Sequence, residues 1–330
     1  MRALPMLLLA LGLASPLAAQ TFSFVAFGDM PYCRPGAAAT CAAEEDRVAR
    51  LVRDINAARP AFSIFLGDTI SGAELCTDER ILRAFAWMSL ADHPLVYTPG
   101  DNEWTDCWRD GGGRFDPLER LALIRARFFP DARSLGRRRL PLTRQADVDP
   151  RHSLYVENAR WARDGVVFAT LHVVGSNNNR PTDPGERPAL TPPPGAMEEY
   201  QARNAANLAW MEAAFGEAAR MGARALVVAI QADLFYVQRC GRGWSSGLRD
   251  TTAALERHAR EFSRPVLLLH GDSHVFIHDR PLATAQNLTR IMVPGDQDTR
   301  AVRIEVDPGA PDPWRASLIG PDDRPAQPGC

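Results

Sequence analysis

The chain has 330 residues, 45% hydrophobic and 24% charged, a balance that excludes a mostly disordered polymer. Its 38 basic residues, all arginine, face 40 acidic ones for a formal charge of −2. That near-neutrality gives no basic excess to recruit nucleic acid or an anionic membrane surface.

Residues 1–20 read as a signal peptide, not as fold. Arg2 supplies the positive start, the run Leu7 to Ala14 the apolar core, and Leu17-Ala18-Ala19 the small residues of a cleavage site. That run is short for a membrane span, and no later segment qualifies. The expectation is an exported chain, periplasmic or secreted, without a membrane span, whose residues 21–330 make one domain. Export suits the six cysteines, Cys33, Cys41, Cys76, Cys107, Cys240 and Cys330, as disulfides. Cys33 with Cys41 would close a local loop, and Cys76 with Cys107 would tie two neighbouring loops. No CxxC pair favours zinc instead.

In chain order, Phe22–Phe27 is a β-rich run that ends in Gly28-Asp29. Residues 44–58 place Val48, Leu51, Val52 and Ile55 at helical spacing. Phe62 to Leu66 is a second strand, ending in Gly67-Asp68, and 78–90 reads as a second helix. Leu95 to Thr98 is a third strand, followed by Pro99-Gly100-Asp101-Asn102-Glu103. Strand–helix–strand alternation implies parallel strands with right-handed crossovers. Parallel strands that each end in Gly-Asp collect three carboxylates at one sheet edge, where open α/β folds bind ligands.

Asp116 and Pro117 open a further helix. Arg137-Arg138-Arg139 reads as a solvated basic loop. Asp164-Gly165 joins two apolar runs as a hairpin, and Gly175-Ser176-Asn177-Asn178-Asn179 follows the second run. Residues 181–195, rich in proline, form an extended surface loop. The C-terminal half alternates again: a helix over 198–220, a strand over 225–230 ending in Gln231, a helix over 248–262, and a strand over 266–269. That last strand runs into His270-Gly271-Asp272-Ser273-His274. Strands near 289–293, 301–306 and 315–318 close the chain. Trp104 and Trp108 are packing residues first and cleft residues second.

Oxygen-rich clusters with one or two histidines suit divalent metals. Gly28-Asp29-Met30-Pro31, Gly67-Asp68, Gly100-Asp101-Asn102-Glu103, Gln231 and Gly271-Asp272-Ser273-His274 resemble, in order and strand placement, the motifs of the calcineurin-like metallophosphoesterase superfamily. The resemblance implies an α/β fold of two facing mixed β-sheets flanked by helices, a four-layer sandwich. It implies a metal set of Asp29, Asp68, Asp101, Gln231, Asp272 and His274 around one or two divalent ions. Asn102 would orient phosphate and take part in catalysis, and Asn177 would contact substrate; His172, in the apolar run 168–174, would assist if its strand ends at the same edge, or else be a satisfied core histidine. Pro31 stands where the family has a ligand histidine, Asp101 where it has asparagine, and Asn102 where it has the histidine that assists the leaving group. Gln231 and Asp272 each replace a further histidine. The harder donor set favours Mn, Mg or Ca over Fe or Zn. With the acid histidine gone, Glu103, His172 or His270 would have to supply the proton. The implied activity is hydrolysis of a phosphomonoester or phosphodiester by metal-activated hydroxide. The alternative is a weakened or inactive relative that binds an anionic ligand.

Overall fold

The computed structural model describes residues 20–33 and 38–321, with the side chains of 38–40 excluded. The leader reading, Gln20 apart, and Cys330 lie outside the described residues.

Among the described residues, twelve strands occur in the order β1 (Phe22–Phe27), β2 (Ser63–Phe65), β3 (Leu95–Tyr97), β4 (Thr143–Arg144), β5 (Ala159–Arg163), β6 (Val166–Thr170), β7 (Ala225–Ala229), β8 (Val266–His270), β9 (Ile277–Asp279), β10 (Leu288–Met292), β11 (Ala301–Val306) and β12 (Trp314–Ile319). They form two mixed sheets. One is ordered β12-β11-β1-β2-β3, the other β4-β5-β6-β7-β8-β10-β9. β1, β2 and β3 are mutually parallel, and so are β6, β7, β8 and β10.

Side-chain alternation builds the layers. In β1, Phe24 and Ala26 face the second sheet, while Val25 and Phe27 face the outer helices. In β7, Ala225, Val227 and Ala229 join the same inter-sheet core, and Leu226 and Val228 face outward. Phe168 of β6 meets Phe24 and Phe62 edge-on at the centre of that core. Helix Ala38–Ala57 covers the first sheet with Val48, Leu51, Val52 and Ile55, all buried. Helices Ala196–Arg220 and Arg249–Phe262 cover the second. The result is the four-layer sandwich that the motifs implied.

Local chemistry explains several boundaries. The Asp116 carboxylate accepts from the Leu118 amide at 2.9 Å and caps the helix Pro117–Phe128. Asp164 and Gly165 both have positive φ, the geometry of a tight hairpin turn, and Arg163 pairs with Val166 across it. The helix expected over 78–90 divides at Arg83 into Asp78–Leu82 and Ala84–Met88. Cys33–Cys41 and Cys76–Cys107 are disulfides, with Cα atoms 4.6 and 5.6 Å apart. Arg137 and Arg139 form ion pairs with Asp92 and Asp131, and Arg138 donates to the Asp92 carbonyl, so the basic run serves the surface.

No described helix is long and apolar enough to cross a membrane. Because the parallel strands of both sheets end on the same side, the loops after β1, β2, β3, β6, β7 and β8 converge there.

Candidate metal centre

Each carboxylate of the cluster stands just past a strand. Asp29 follows β1, Asp68 follows β2, Asp101 follows β3, and Asp272 follows β8. Asp29, Asp68, Asp272 and His274 all take positive φ, between 55° and 73°. Such backbone is sparsely populated for residues other than glycine and collects where a site demands it. Here it turns each side chain off its strand and back over the sheet edge.

Glycines leave the room. A side-chain carbon on Gly271 would collide with Asp29 Oδ2, and one on Gly100 with Asp68 Oδ1. A Cβ on Gly175 would lie 2.5 Å from Asp272 Oδ1 and 2.6 Å from Asp101 Oδ1. The missing side chain of Gly175 therefore opens a cradle bounded by two carboxylate oxygens.

The hydrogen bonds tie these loops together. Asp272 N donates to Asp29 Oδ1 at 2.9 Å, joining the two sheets. Asn102 donates from its backbone to Asp68 Oδ1 (3.1 Å) and from Nδ2 to Asp68 Oδ2 (2.8 Å). Tyr32 Oη donates to Asp68 Oδ2 at 2.6 Å and accepts from Asn102 Nδ2 at 2.8 Å. Beneath them Glu103, wholly buried, accepts from Tyr97 Oη, Gly100 N and Asp68 N. Ser176 donates to Asp101 Oδ2 at 2.7 Å and accepts from Arg109, whose other nitrogen pairs with Asp106 at 2.6 Å.

Donor atoms of Asp29, Asp68 and His274 lie within 4.8 Å of one another. Asp29 Oδ2 and Asp101 Oδ1 are buried without any hydrogen-bond partner. Among the described residues no arginine pairs with Asp29, Asp68 or Asp272; the nearest cationic candidate is His274 Nε2, 3.6 Å from Asp29 Oδ1. Burial, reinforced by Asp272, pushes the Asp29 carboxyl well above its usual range, and burial with Asp101 does the same to Asp68 and Asp272. Asp106 is raised to about 7 by burial and by Asp101. Burial lowers His274 to about 4, so its imidazole is neutral and able to ligate. Orphaned oxygens, an open cradle and a neutral imidazole together fit a divalent cation, with the oxygen-rich donor set of a hard ion.

The other residues singled out from sequence are placed as follows. Gln231 turns its amide oxygen to Gly175 N at 2.6 Å, which fixes the wall of the cradle, and its Nε2 is buried without a partner. Asn177 is buried, with its amide bonded to the Arg180 carbonyl, Ser246 Oγ and Gly247 N. His172 is wholly buried, bonded through Nδ1 to Glu157 at 2.8 Å and packed on Trp104. It belongs to a network of Glu157, Arg125 and Arg203, and no hydrogen bond joins it to the carboxylates. His270 is likewise buried, with Nδ1 on the Gly271 carbonyl. Trp104 is fully buried, as packing residues are.

Sequence reasoning missed Tyr32, Asp106 and Ser176. Tyr32 follows the cis peptide Met30–Pro31 on the loop after β1, so its closeness to Asp29 was the available signal. Ser176 opens four consecutive residues of positive φ, Ser176 to Asn179. The three asparagines suit that left-handed turn, which Arg203 anchors through the Asn178 carbonyl.

Beside the cluster lies a cavity of about 580 Å³, with Asp101, Asp272, Ser176 and Ser273 on its floor and Arg187 and Trp244 on its rim.

A dimetal phosphatase from Danio rerio superposes with a TM-score of 0.53 at 11% identity, covering 91% of this chain and 98% of its own. This chain has the calcineurin-like metallophosphoesterase fold. A purple acid phosphatase from yellow lupin (Lupinus luteus) seeds aligns with a TM-score of 0.49 at 12% identity, over 93% of this chain and 55% of its own. No protein-family profile and no curated protein matches the sequence.

Proposed function

We propose that this protein is an exported, metal-dependent phosphoesterase. The observation that carries the reading is the convergence of four carboxylates from strand ends of both sheets, with two of their oxygens buried and unpartnered. Asp29, Asp68, Asp101, Asp272 and His274 would hold one or two divalent ions, Mn, Mg or Ca before Fe or Zn. When bound, such an ion supplies a Lewis acid for phosphoryl oxygen and acidifies water at neutral pH. The chain does the rest. Glu103 and Tyr32 fix Asp68, and Gln231 fixes Gly175 so that the cradle stays open. Asn102 lies next to Asp68 with its amide nitrogen bonded to Asp68 Oδ2 and Tyr32 Oη, and orienting a phosphate oxygen would take the place of one of those bonds.

Purified protein given Mn should hydrolyse phenyl phosphate or bis(p-nitrophenyl) phosphate, and Asp68→Asn should lower turnover by about a thousandfold or more. Absence of turnover with Mn, Mg, Ca and Zn alike overturns the reading.

One observation favours a second reading. Asn102 occupies the leaving-group position with an amide that does not ionise and is committed to Asp68 and Tyr32. A protein that binds phosphate esters without cleaving them would give saturable binding of phenyl phosphate and recovery of intact ester.

A further inference from the structure

The rim of the cavity carries chemistry that the carboxylate cluster does not use. Two facing segments form it, one from the proline-rich loop and one from the loop after helix Tyr236–Cys240. Arg187 and Gly243 form an antiparallel bridge between them. Trp244 Nε1 donates to the Pro188 carbonyl at 2.6 Å. Glu186 accepts from the amides of Ser245 and Ser246 at 2.8 and 2.9 Å. The segments are therefore zipped together on both sides of Arg187.

That clamp places Arg187 opposite Gly243, the residue after Arg242, and both arginines are exposed and line the cavity. The nearby acids have other partners. Asp183 pairs with Arg180 and Arg249, Asp233 with Arg239 and Ser273, and Asp106 with Arg109. No ion pair joins Arg187 or Arg242 to any described residue. Arg109 is already engaged by Asp106 and Ser176, which leaves Arg187 and Arg242 as the rim's available guanidinium groups.

We propose that Arg187 and Arg242 form a second anion subsite, so that the preferred substrate is a phosphate ester carrying another phosphate-like group. The inference rests on the phosphoesterase reading above, since it assigns the first phosphate to the carboxylate floor. Guanidinium groups bind phosphate through paired, charge-assisted hydrogen bonds. The cavity volume accommodates a ring between two charged ends. Trp244 lines the cavity between the segments, beside such a ring.

Non-hydrolysable phosphonates test this by isothermal titration of the manganese-loaded protein. 1,4-Phenylenebis(phosphonate) should bind at least about tenfold tighter than phenylphosphonate, and Arg187→Gln with Arg242→Gln should bring that ratio near one. Arg187→Lys with Arg242→Lys should keep part of the preference, which separates charge from loop damage. The preference should also shrink as salt is raised. Equal affinities in the wild type overturn the subsite, and so does a preference that survives the double glutamine variant. In either case hydrolysis of phenyl phosphate with Mn leaves the phosphoesterase reading standing. Binding of neither phosphonate, with no turnover, overturns both.

Discussion

Tyr32 and Asp68 share a 2.6 Å hydrogen bond, made from the loop position directly after Pro31. The phenol also takes a hydrogen from Asn102, so one hydroxyl links the loops after β1, β2 and β3. Tyr32→Phe should weaken Mn binding about tenfold, because Asp68 Oδ2 would keep only Asn102 as a partner. Isothermal titration measures this, and unchanged affinity would assign Tyr32 to packing alone.

Gly175→Ala tests the cradle without disturbing the charge. Gly175 does not need positive φ, but its new methyl would stand between Asp101 Oδ1 and Asp272 Oδ1. Mn affinity should fall about tenfold or more while the melting temperature of the metal-free protein changes little. Full affinity in the variant would mean that cations do not enter between those two oxygens.

Glu103→Gln keeps shape and removes an acceptor. Oε1 accepts from Tyr97, Gly100 and the Asp68 amide, so the new amide nitrogen falls at the Oε2 position, where it faces Asp68 N alone. One donor meeting another should cost about 1 kcal/mol, read as a lower urea midpoint with an unchanged slope. A neutral result would show that these donors find other partners.

His93 gives a pH signature remote from the carboxylates. It bridges Asn56 Oδ1 and Ser63 Oγ, and burial with Arg138 nearby lowers it to about 4. Its folded pKa lies below the unfolded value of 6.5, so unfolded chains bind the proton first. The stability it contributes is full above pH 6.5 and declines as pH falls towards 4. Comparing wild type with His93→Gln between pH 7 and 4 isolates that decline, on the order of 2 kcal/mol after allowance for partial exposure. Parallel curves for the two proteins would place no proton uptake at His93.

Much of this architecture is legible in the residues, for stated reasons. Near-continuous apolar runs in Phe22–Phe27 and Ala225–Ala229 mark strands buried on both faces, and Gly28-Asp29 marks where the first one stops. Cys33–Cys41 closes a local loop, and Cys76–Cys107 ties two loops that lie side by side, as their places in the sequence suggest. What stays hidden depends on distant partners. His172 sits in an apolar run whether it faces a site or, as here, Glu157. Asn177 follows a strand end like a ligand, yet its amide is taken up by backbone that returns 70 residues later. Gln231 supports Gly175 rather than presenting its oxygen to the cluster, an orientation set by tertiary contact alone. Nothing in the sequence marks Arg187 and Arg242, which line one cavity only through the folding of two separate loops.

The central claim is that Asp29, Asp68, Asp101, Asp272 and His274 surround a cation. Anomalous diffraction from crystals soaked in manganese tests it most directly. The expected result is at least one strong manganese peak within coordination reach of Asp29, Asp68 and His274, lost in Asp68→Asn. Ordered side chains with no peak among them, at saturating manganese, would contradict the account.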